Sequence, residues 1–267
     1  MDSGRNIERN PVSLYVYVTT HTHSRFIGAA FAKGANAPTV GTFRLQPTGA
    51  AAIYGRLRGC NEILQAAKDE GRDFYYIDRG YMRATRDDDY SGYFRVSKNS
   101  LQSDGTGTPN YDRFASLGIS IKPWREGGSH VLICPPGDVY GKLSGFNSDE
   151  WTLNAVATLR RSTDRLIRIR EKPRHGQRNV TLLDDLKNCW AMVVHSSNAA
   201  VDALLMGVPV FATDACGASF CASKDLSSIE KPFFPDNREE WAANLAAQQW
   251  TISEMESGIA WRDLQNE

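Results

Sequence analysis

At 267 residues the chain has room for one large domain or two of roughly 100–150 residues. Its 41% hydrophobic and 23% charged residues are those of a folded globular protein and exclude disorder as the main state. Lys plus Arg equals Asp plus Glu at 31 each, so no global basic field marks the chain for nucleic acid or an anionic membrane, and only local patches stay open. The five cysteines (Cys60, Cys134, Cys189, Cys216, Cys221) are odd in number and irregularly spaced, which argues against a disulfide framework and for a reducing, cytoplasmic setting. The polar start MDSGRNIERNP does not read as a signal peptide, and no window approaches the ~18 apolar residues of a membrane span.

In chain order, residues 13–18 are short, β-branched and aromatic and predict a first strand, ended by a polar loop, residues 19–24, that carries His21 and His23. Residues 26–33 predict a helix stopped by Gly34, residues 39–45 a second strand, and residues 53–70 an amphipathic helix with Gly71 as its stop. Residues 74–78 form an apolar strand that runs into the turn Arg79-Gly80-Tyr81. This alternation of helix, glycine, strand and polar turn is the rhythm of a parallel α/β sheet. Residues 83–111 lose it. They hold Arg86 and the triplet Asp87-Asp88-Asp89, the aromatics Tyr90, Tyr93 and Phe94, then Lys98 and a Gly/Thr/Ser-rich stretch. A loop that long is functional or mobile in most compact proteins.

Residues 122–128 read as a linker, and residues 130–134 start a second α/β half. It continues with a helix at 150–161 capped by Ser148 or Asp149, a strand at 166–169, a short helix at 182–188 and a strand at 192–194. A helix at 199–206 stopped by Gly207, a strand at 208–212 and tail helices at 238–249 and 253–263 complete the pattern. The expected fold is α/β, a compact version of two Rossmann-like halves facing a cleft, divided as residues 1–122 and 123–267.

The polar cluster His195-Ser196-Ser197-Asn198 stands where a buried strand meets a helix, the place an open α/β sheet uses for ligands. By residue type it reads either as ordinary N-capping or as a phosphate seat, in which two hydroxyls and free backbone N–H groups meet an anion. Residues 195–210, HSSNAAVDALLMGVPV, resemble the carboxyl-domain motif of GT-B glycosyltransferases, particularly the capsule-polysaccharide and sialyltransferase-like groups. The resemblance covers about 25 residues. It implies that Ser196 and Ser197 bind the phosphate of a nucleotide sugar, that Ala203, Gly207, Pro209 and Val210 form the frame, and that Asp202 stands near the position where retaining enzymes of this fold place a ribose-binding Glu. Residues 168–176, RIREKPRHG, resemble the His-Pro-type loop of the sialyltransferase-like enzymes in a different order, with Arg170, Lys172 and His175 as the cations for leaving-group charge. A solvated basic turn is the other reading of that loop.

Cys134-Pro135-Pro136-Gly137-Asp138 and on to Tyr140-Gly141 reads as a chain reversal, or as a close backbone approach to a ligand through Gly137 and Gly141. In the first half, a transfer that inverts the anomeric carbon needs a base for the acceptor proton. Asp78 is the first candidate and His21 or His23 the next, with Arg79, Tyr81 and Lys98 as acceptor contacts. Asp78 also reads as an ion pair or a cap. His21-x-His23 is a weak metal signal, the Asp triplet has no strand before it, and neither a metal nor a cofactor beyond the nucleotide-sugar co-substrate is expected. The resemblance therefore implies a glycosyltransferase in a bacterial or phage-infected cell. Its acceptor is a glycan precursor or, as for some phage glucosyltransferases, a 5-hydroxymethylpyrimidine in DNA. A non-catalytic nucleotide-binding protein is the alternative, and a dinucleotide oxidoreductase is disfavoured because no G-x-G-x-x-G follows the first strand.

Overall fold

The computed structural model describes residues 14–84, 90–172 and 181–266. They form two compact units. The first takes the described residues up to Arg79, those of Thr85–Leu101, and those from Trp250 onward; the second takes Gly80–Ala84 and the described residues of Gln102–Gln249. The division therefore falls near residue 102 rather than at the expected 122/123, and the carboxyl-terminal stretch returns to the first unit. Trp250 is the anchor of that return: it is fully buried, and its indole Nε1 donates to Asp263 at 2.9 Å.

The first unit begins β1 (Leu14–Val18), α1 (Thr22–Gly34), β2 (Thr39–Gly41), β3 (Ala50–Tyr54), α2 (Cys60–Asp69), β4 (Phe74–Arg79) and β5 (Phe94–Lys98). Its sheet runs β5-β4-β3-β1-β2, all parallel except β5, which is antiparallel to β4. The helix expected at 53–70 is the largest departure, since its start is the end of β3. Alanine favours helix as an isolated residue, yet Ala50, Ala51, Ala52 and Ile53 are all buried in a central strand. Ala50 and Ala52 pack with Ile27 and Phe31 of α1 on one face, while Ala51 and Ile53 pack with Ile63 and Leu64 of α2 on the other. Small side chains let both helices approach the sheet. Helix α1 starts four residues earlier than the periodicity predicts, at the end of the polar loop.

The second unit follows with α3 (Tyr111–Ser116), β6 (His130–Cys134), α4 (Asp138–Ser144), α5 (Ser148–Arg160), β7 (Leu166–Ile169), α6 (Leu182–Asp185), β8 (Cys189–Val194), α7 (Ala199–Leu205), β9 (Val210–Ala212), β10 (Ala222–Ser223) and α8 (Arg238–Ala247). Its five-stranded sheet is wholly parallel in the order β10-β9-β8-β6-β7. Every residue of β6 and β8 is buried, as expected for strands covered on both faces. Asn147, rather than Ser148 or Asp149, caps α5 through bonds from the Asp149 and Glu150 N–H groups. Gly207 ends α7 at φ +76°, and a Cβ there would lie 2.0 Å from the Pro123 carbonyl oxygen.

The chain closes with β11 (Gln249–Trp250) beside β5, then α9 (Ile252–Glu256) and α10 (Ile259–Gln265). The single helix expected at 253–263 is two, broken at Gly258, whose φ of +80° and close approach to the Gly34 oxygen leave no room for a side chain. No described helix is long and apolar enough to cross a membrane.

Candidate functional site

In the second sheet β7 lies on one flank of β6 and β8 on the other, so the chain reverses direction across the sheet between β6 and β8. That switch point is where adjacent loops diverge and leave a crevice at the carboxyl ends of the strands. The loop after β8, His195–Asn198, is one wall, and the loop after β6, residues 135–137, together with α4 is the other. Ser196 Oγ donates to the Tyr140 hydroxyl at 3.0 Å, which ties the two walls together, and the Ser196 carbonyl accepts from Gln102 Nε2 at 2.8 Å. Ser197 Oγ accepts from the Ala199 N–H at 3.3 Å, one residue ahead of Asn198, the N-cap of the seven-residue α7. Asn198 Nδ2 donates to the Gly80 carbonyl at 3.4 Å, while its buried Oδ1 has no hydrogen-bond partner among the described residues.

His195 does not stand open to the crevice. Its ring lies 4.7 Å from Phe146, 5.8 Å from Trp151 and 6.1 Å from Tyr140, centroid to centroid. Nδ1 shares a hydrogen bond with Thr213 Oγ1 at 3.0 Å, the same oxygen that accepts from Trp151 Nε1, and Nε2 lies 3.5 Å from Asp214. Burial pushes the imidazole pKa down, and Asp214 opposes this only in part. The ring is thus packed between β8, β9 and α5. Tyr140, Phe146, Trp151 and Thr213 were not among the candidates drawn from sequence. A signal existed for two of them: Tyr140 and Thr213 lie a few residues past strand ends in the same sheet.

The glycines of the β6 loop separate into two kinds. A Cβ on Gly137 would meet nothing within 4 Å, whereas on Gly141 it would come 2.5 Å from Ser148 Oγ, so Gly141 is required by packing. A surface cavity of about 460 Å³ opens beside this loop, lined by Asp138, Lys142, Phe146, Asn147 and Asp149.

The cationic loop was expected at the same crevice edge. Its described start leaves β7 two strands from β8, and therefore about 10 Å from the Ser196–Ser197 wall at ordinary strand spacing. Arg170 forms an ion pair with Asp185 and donates its N–H to the Ile133 carbonyl, and Lys172 is exposed. His175 lies outside the described residues, as do Arg86 and Asp87-Asp88-Asp89.

In the first unit β2 and β3 flank β1 on opposite sides, so that sheet has its own switch point between β1 and β3. His21 is the N-cap of α1 there, its N–H bonded to Thr19 Oγ1 at 3.1 Å. The His21 and His23 rings lie 4.9 Å apart, and His23 Nδ1 is 2.8 Å from the Tyr90 hydroxyl. Asp78, next to last in β4, has three donors on its carboxylate: Tyr76 OH at 3.1 Å, Arg95 Nη2 at 3.1 Å and the Arg79 N–H at 2.8 Å. The Tyr76 phenol is pushed well up by burial and by Asp78, so it stays a donor. Arg95 is nearly buried and sits opposite Asp78 in the β4–β5 register.

Two acceptor candidates lie elsewhere. Because β5 is antiparallel, Lys98 falls at the other end of the sheet, about 10 Å along the strand from Arg95, where it pairs with Asp73 at 3.5 Å. Tyr81 is 4% exposed in the second unit, its hydroxyl accepting from the Ser103 N–H. Arg79 offers its backbone to Arg95, through the carbonyl at 2.9 Å. Among the described residues no group of three or more His, Cys, Asp or Glu could hold a metal ion.

Two α/β sheets, one wholly and one mainly parallel, each with a switch point, define the structural class: a compact, doubly built α/β protein. No protein-family model and no curated protein sequence matches the chain. Among solved structures the fold is similar to that of Thermosulfurimonas dismutans KpsC, a β-Kdo 2,4 transferase, at 13% identity and a TM-score of 0.50, with 88% of this chain and 90% of that chain covered. The KpsC β-Kdo 2,7 transferase of the same organism aligns at 10% identity and a TM-score of 0.49 over 94% and 99% of the two chains.

Proposed function

We propose that this protein is a glycosyltransferase of the GT-B type that moves a sugar from a nucleotide-sugar donor to a hydroxyl acceptor. The second unit holds the donor and the first unit the acceptor. The observation that carries this reading is the Ser196–Ser197 loop at the β6–β8 switch point, braced by Tyr140, in a fold shared with a Kdo transferase. The donor phosphate meets the hydroxyls of Ser196 and Tyr140 and the open backbone at Gly137, and Asn198 Oδ1 supplies an acceptor that a sugar or ribose hydroxyl satisfies. Arg170 and Lys172 supply positive charge from the β7 side, and His175 is the third cation that the resemblance implies. Asp78 takes the acceptor proton, held in place by Tyr76 and Arg95, with His21 as the second candidate for that role.

A thermal-shift screen of UDP, GDP, CMP and TDP sugars tests the reading. A donor at 100 times its Kd stabilises the folded chain by about 2.7 kcal/mol, a rise of roughly 5–10 °C for a protein of this size. Tyr140→Phe removes the brace on Ser196 and is expected to weaken that donor about five- to tenfold, the worth of one hydrogen bond. No response to any of the four classes would remove the reading. A response without transfer or hydrolysis, in the wild type and in Asp78→Asn alike, would leave a nucleotide-binding protein instead.

A further inference from the structure

The chain is neutral overall, but its acids are unevenly placed. Between Glu8 and Glu62 there is no Asp or Glu at all. The described part of that stretch builds β1, α1, β2 and β3, and its cations are Arg25, Lys33, Arg44, Arg56 and Arg58. Lys33, near the end of α1, pairs with Glu256 at 3.1 Å. The four arginines all fall at the carboxyl ends of the three parallel strands: Arg25 in the first turns of α1 after β1, Arg44 after β2, and Arg56 and Arg58 after β3. In the sheet these strands are neighbours in the order β3-β1-β2, so the three loops stand side by side on one end of the unit.

Each loop also presents a large apolar side chain next to an arginine. Phe26 is 43% exposed, Phe43 is 100% exposed and Leu57 is 52% exposed. The outer loop positions are fixed to one another: Thr42 Oγ1 donates to the Arg58 carbonyl at 2.9 Å, and Phe26 stacks on Tyr90 at 4.3 Å between centroids. A fully exposed phenylalanine on a braced loop gains nothing in the free protein. It gains when something covers it.

We propose that this face of the first unit binds a nucleic-acid duplex, with Arg25, Arg44 and Arg58 on phosphates and Phe43 as the side chain that enters the groove. This rests on the glycosyltransferase reading only in making the duplex the acceptor; the binding itself does not depend on it. Arginine, with its planar fork, suits phosphodiester oxygens. Three loops at ordinary strand spacing span about 10 Å, against a major groove about 12 Å wide. Apolar tips set singly between charges suit wedging beside or between bases, whereas a helix that lies on a lipid surface uses a continuous apolar face. Where a base is drawn out of the stack for reaction, such a wedge offsets part of the unstacking cost. Among the described residues, the acids that follow neighbouring elements at this end are Asp78, held by Arg95, and Glu62 in the first turn of α2.

The test is fluorescence anisotropy of a labelled 20-bp duplex with the full chain across salt concentrations. Three phosphate contacts give a slope of about −2.7 in log K against log salt, so affinity falls about 40-fold between 50 and 200 mM salt. Arg44→Gln with Arg58→Gln is expected to reduce the slope to about −0.9, and Phe43→Ser to weaken binding several-fold with the slope unchanged. Phe43 touches too little of the core for its loss to unfold the chain, and unaltered melting of each variant checks that. A wild-type slope near zero, or a double variant that binds as the wild type does, overturns the proposal. So does binding to anionic lipid vesicles or to an acidic polysaccharide without binding to the duplex. Nucleotide-sugar thermal shifts on the same variants separate the two readings: donor binding without duplex binding sinks only this inference, and duplex binding without any donor sinks only the glycosyltransferase.

Discussion

Replacing Asp78 with Ala removes the carboxylate opposite a guanidinium that the fold has already buried. The Arg95 side chain is 6% exposed and that of Asp78 34%, at a separation of 3.1 Å, and the other fork nitrogen of Arg95 donates to the Arg79 carbonyl. Breaking a fully buried pair from one side costs about 3–5 kcal/mol. Water reaches a third of the carboxylate and screens it, which lowers the expected cost to about 2 kcal/mol. The Tyr76 hydroxyl also loses its acceptor, adding about 1 kcal/mol. We therefore expect Asp78→Ala to lose about 2–3 kcal/mol in urea unfolding followed by tryptophan fluorescence. Asp78→Asn, which keeps an oxygen in place, is expected to lose about 1 kcal/mol. In the double variant with Arg95→Met the loss is less than the sum of the two single losses, because each removes the same interaction. An Asp78→Ala chain within 0.5 kcal/mol of wild type, or strict additivity with Arg95→Met, would refute this account of the pair. The catalytic role is a separate reading, seen in Asp78→Asn as a fall in transfer rate of about 10²–10⁴ with donor affinity retained.

Gly207→Ala combines a positive φ with a Cβ 2.0 Å from the backbone oxygen of Pro123, an overlap that only a backbone shift relieves; a loss of more than about 3 kcal/mol in urea unfolding is expected, and a loss below 1 would contradict the close approach. His130 and His195 are both held below the ordinary imidazole pKa, in each case first by burial. The unfolded chain therefore takes up protons that the folded chain refuses. The stability they contribute is complete above about pH 6.5 and is lost as pH falls toward the folded values, by at most about 1.4 kcal/mol per pH unit for each histidine. Urea midpoints between pH 7.5 and 5 measure this, and a flat profile would show that neither ring is sequestered.

Much of the second unit was legible in the sequence. Strands β6 and β7 lie where hydrophobic run and flanking turns predict, and α7 ends at Gly207 for the expected reason, because residues 130–134 and 166–169 are bounded by polar or Pro/Gly signals that no tertiary contact overrides. The first unit was less so. Ala50–Tyr54 has the composition of a helix start and became a strand because its place between β1 and β4, with a helix on each face, rewards small buried side chains more than alanine's own preference costs.

For the site, the sequence by itself determined which residue types stand after strand ends: the Ser196–Ser197 pair, the cationic loop, Asp78 and the acid-free first 50-odd positions after Glu8 are all matters of local pattern. Strand order decided what those residues meet, and strand order is a long-range property. The excursion of β7 to the far side of β6 is what sets Tyr140 against Ser196 and moves Arg170 toward Asp185. The antiparallel turn of β5 carries Arg95 to Asp78 and Lys98 away from it. Neither pairing leaves a trace in spacing along the chain, because each is fixed by hydrogen bonding between strands whose neighbours are chosen only when the sheet assembles.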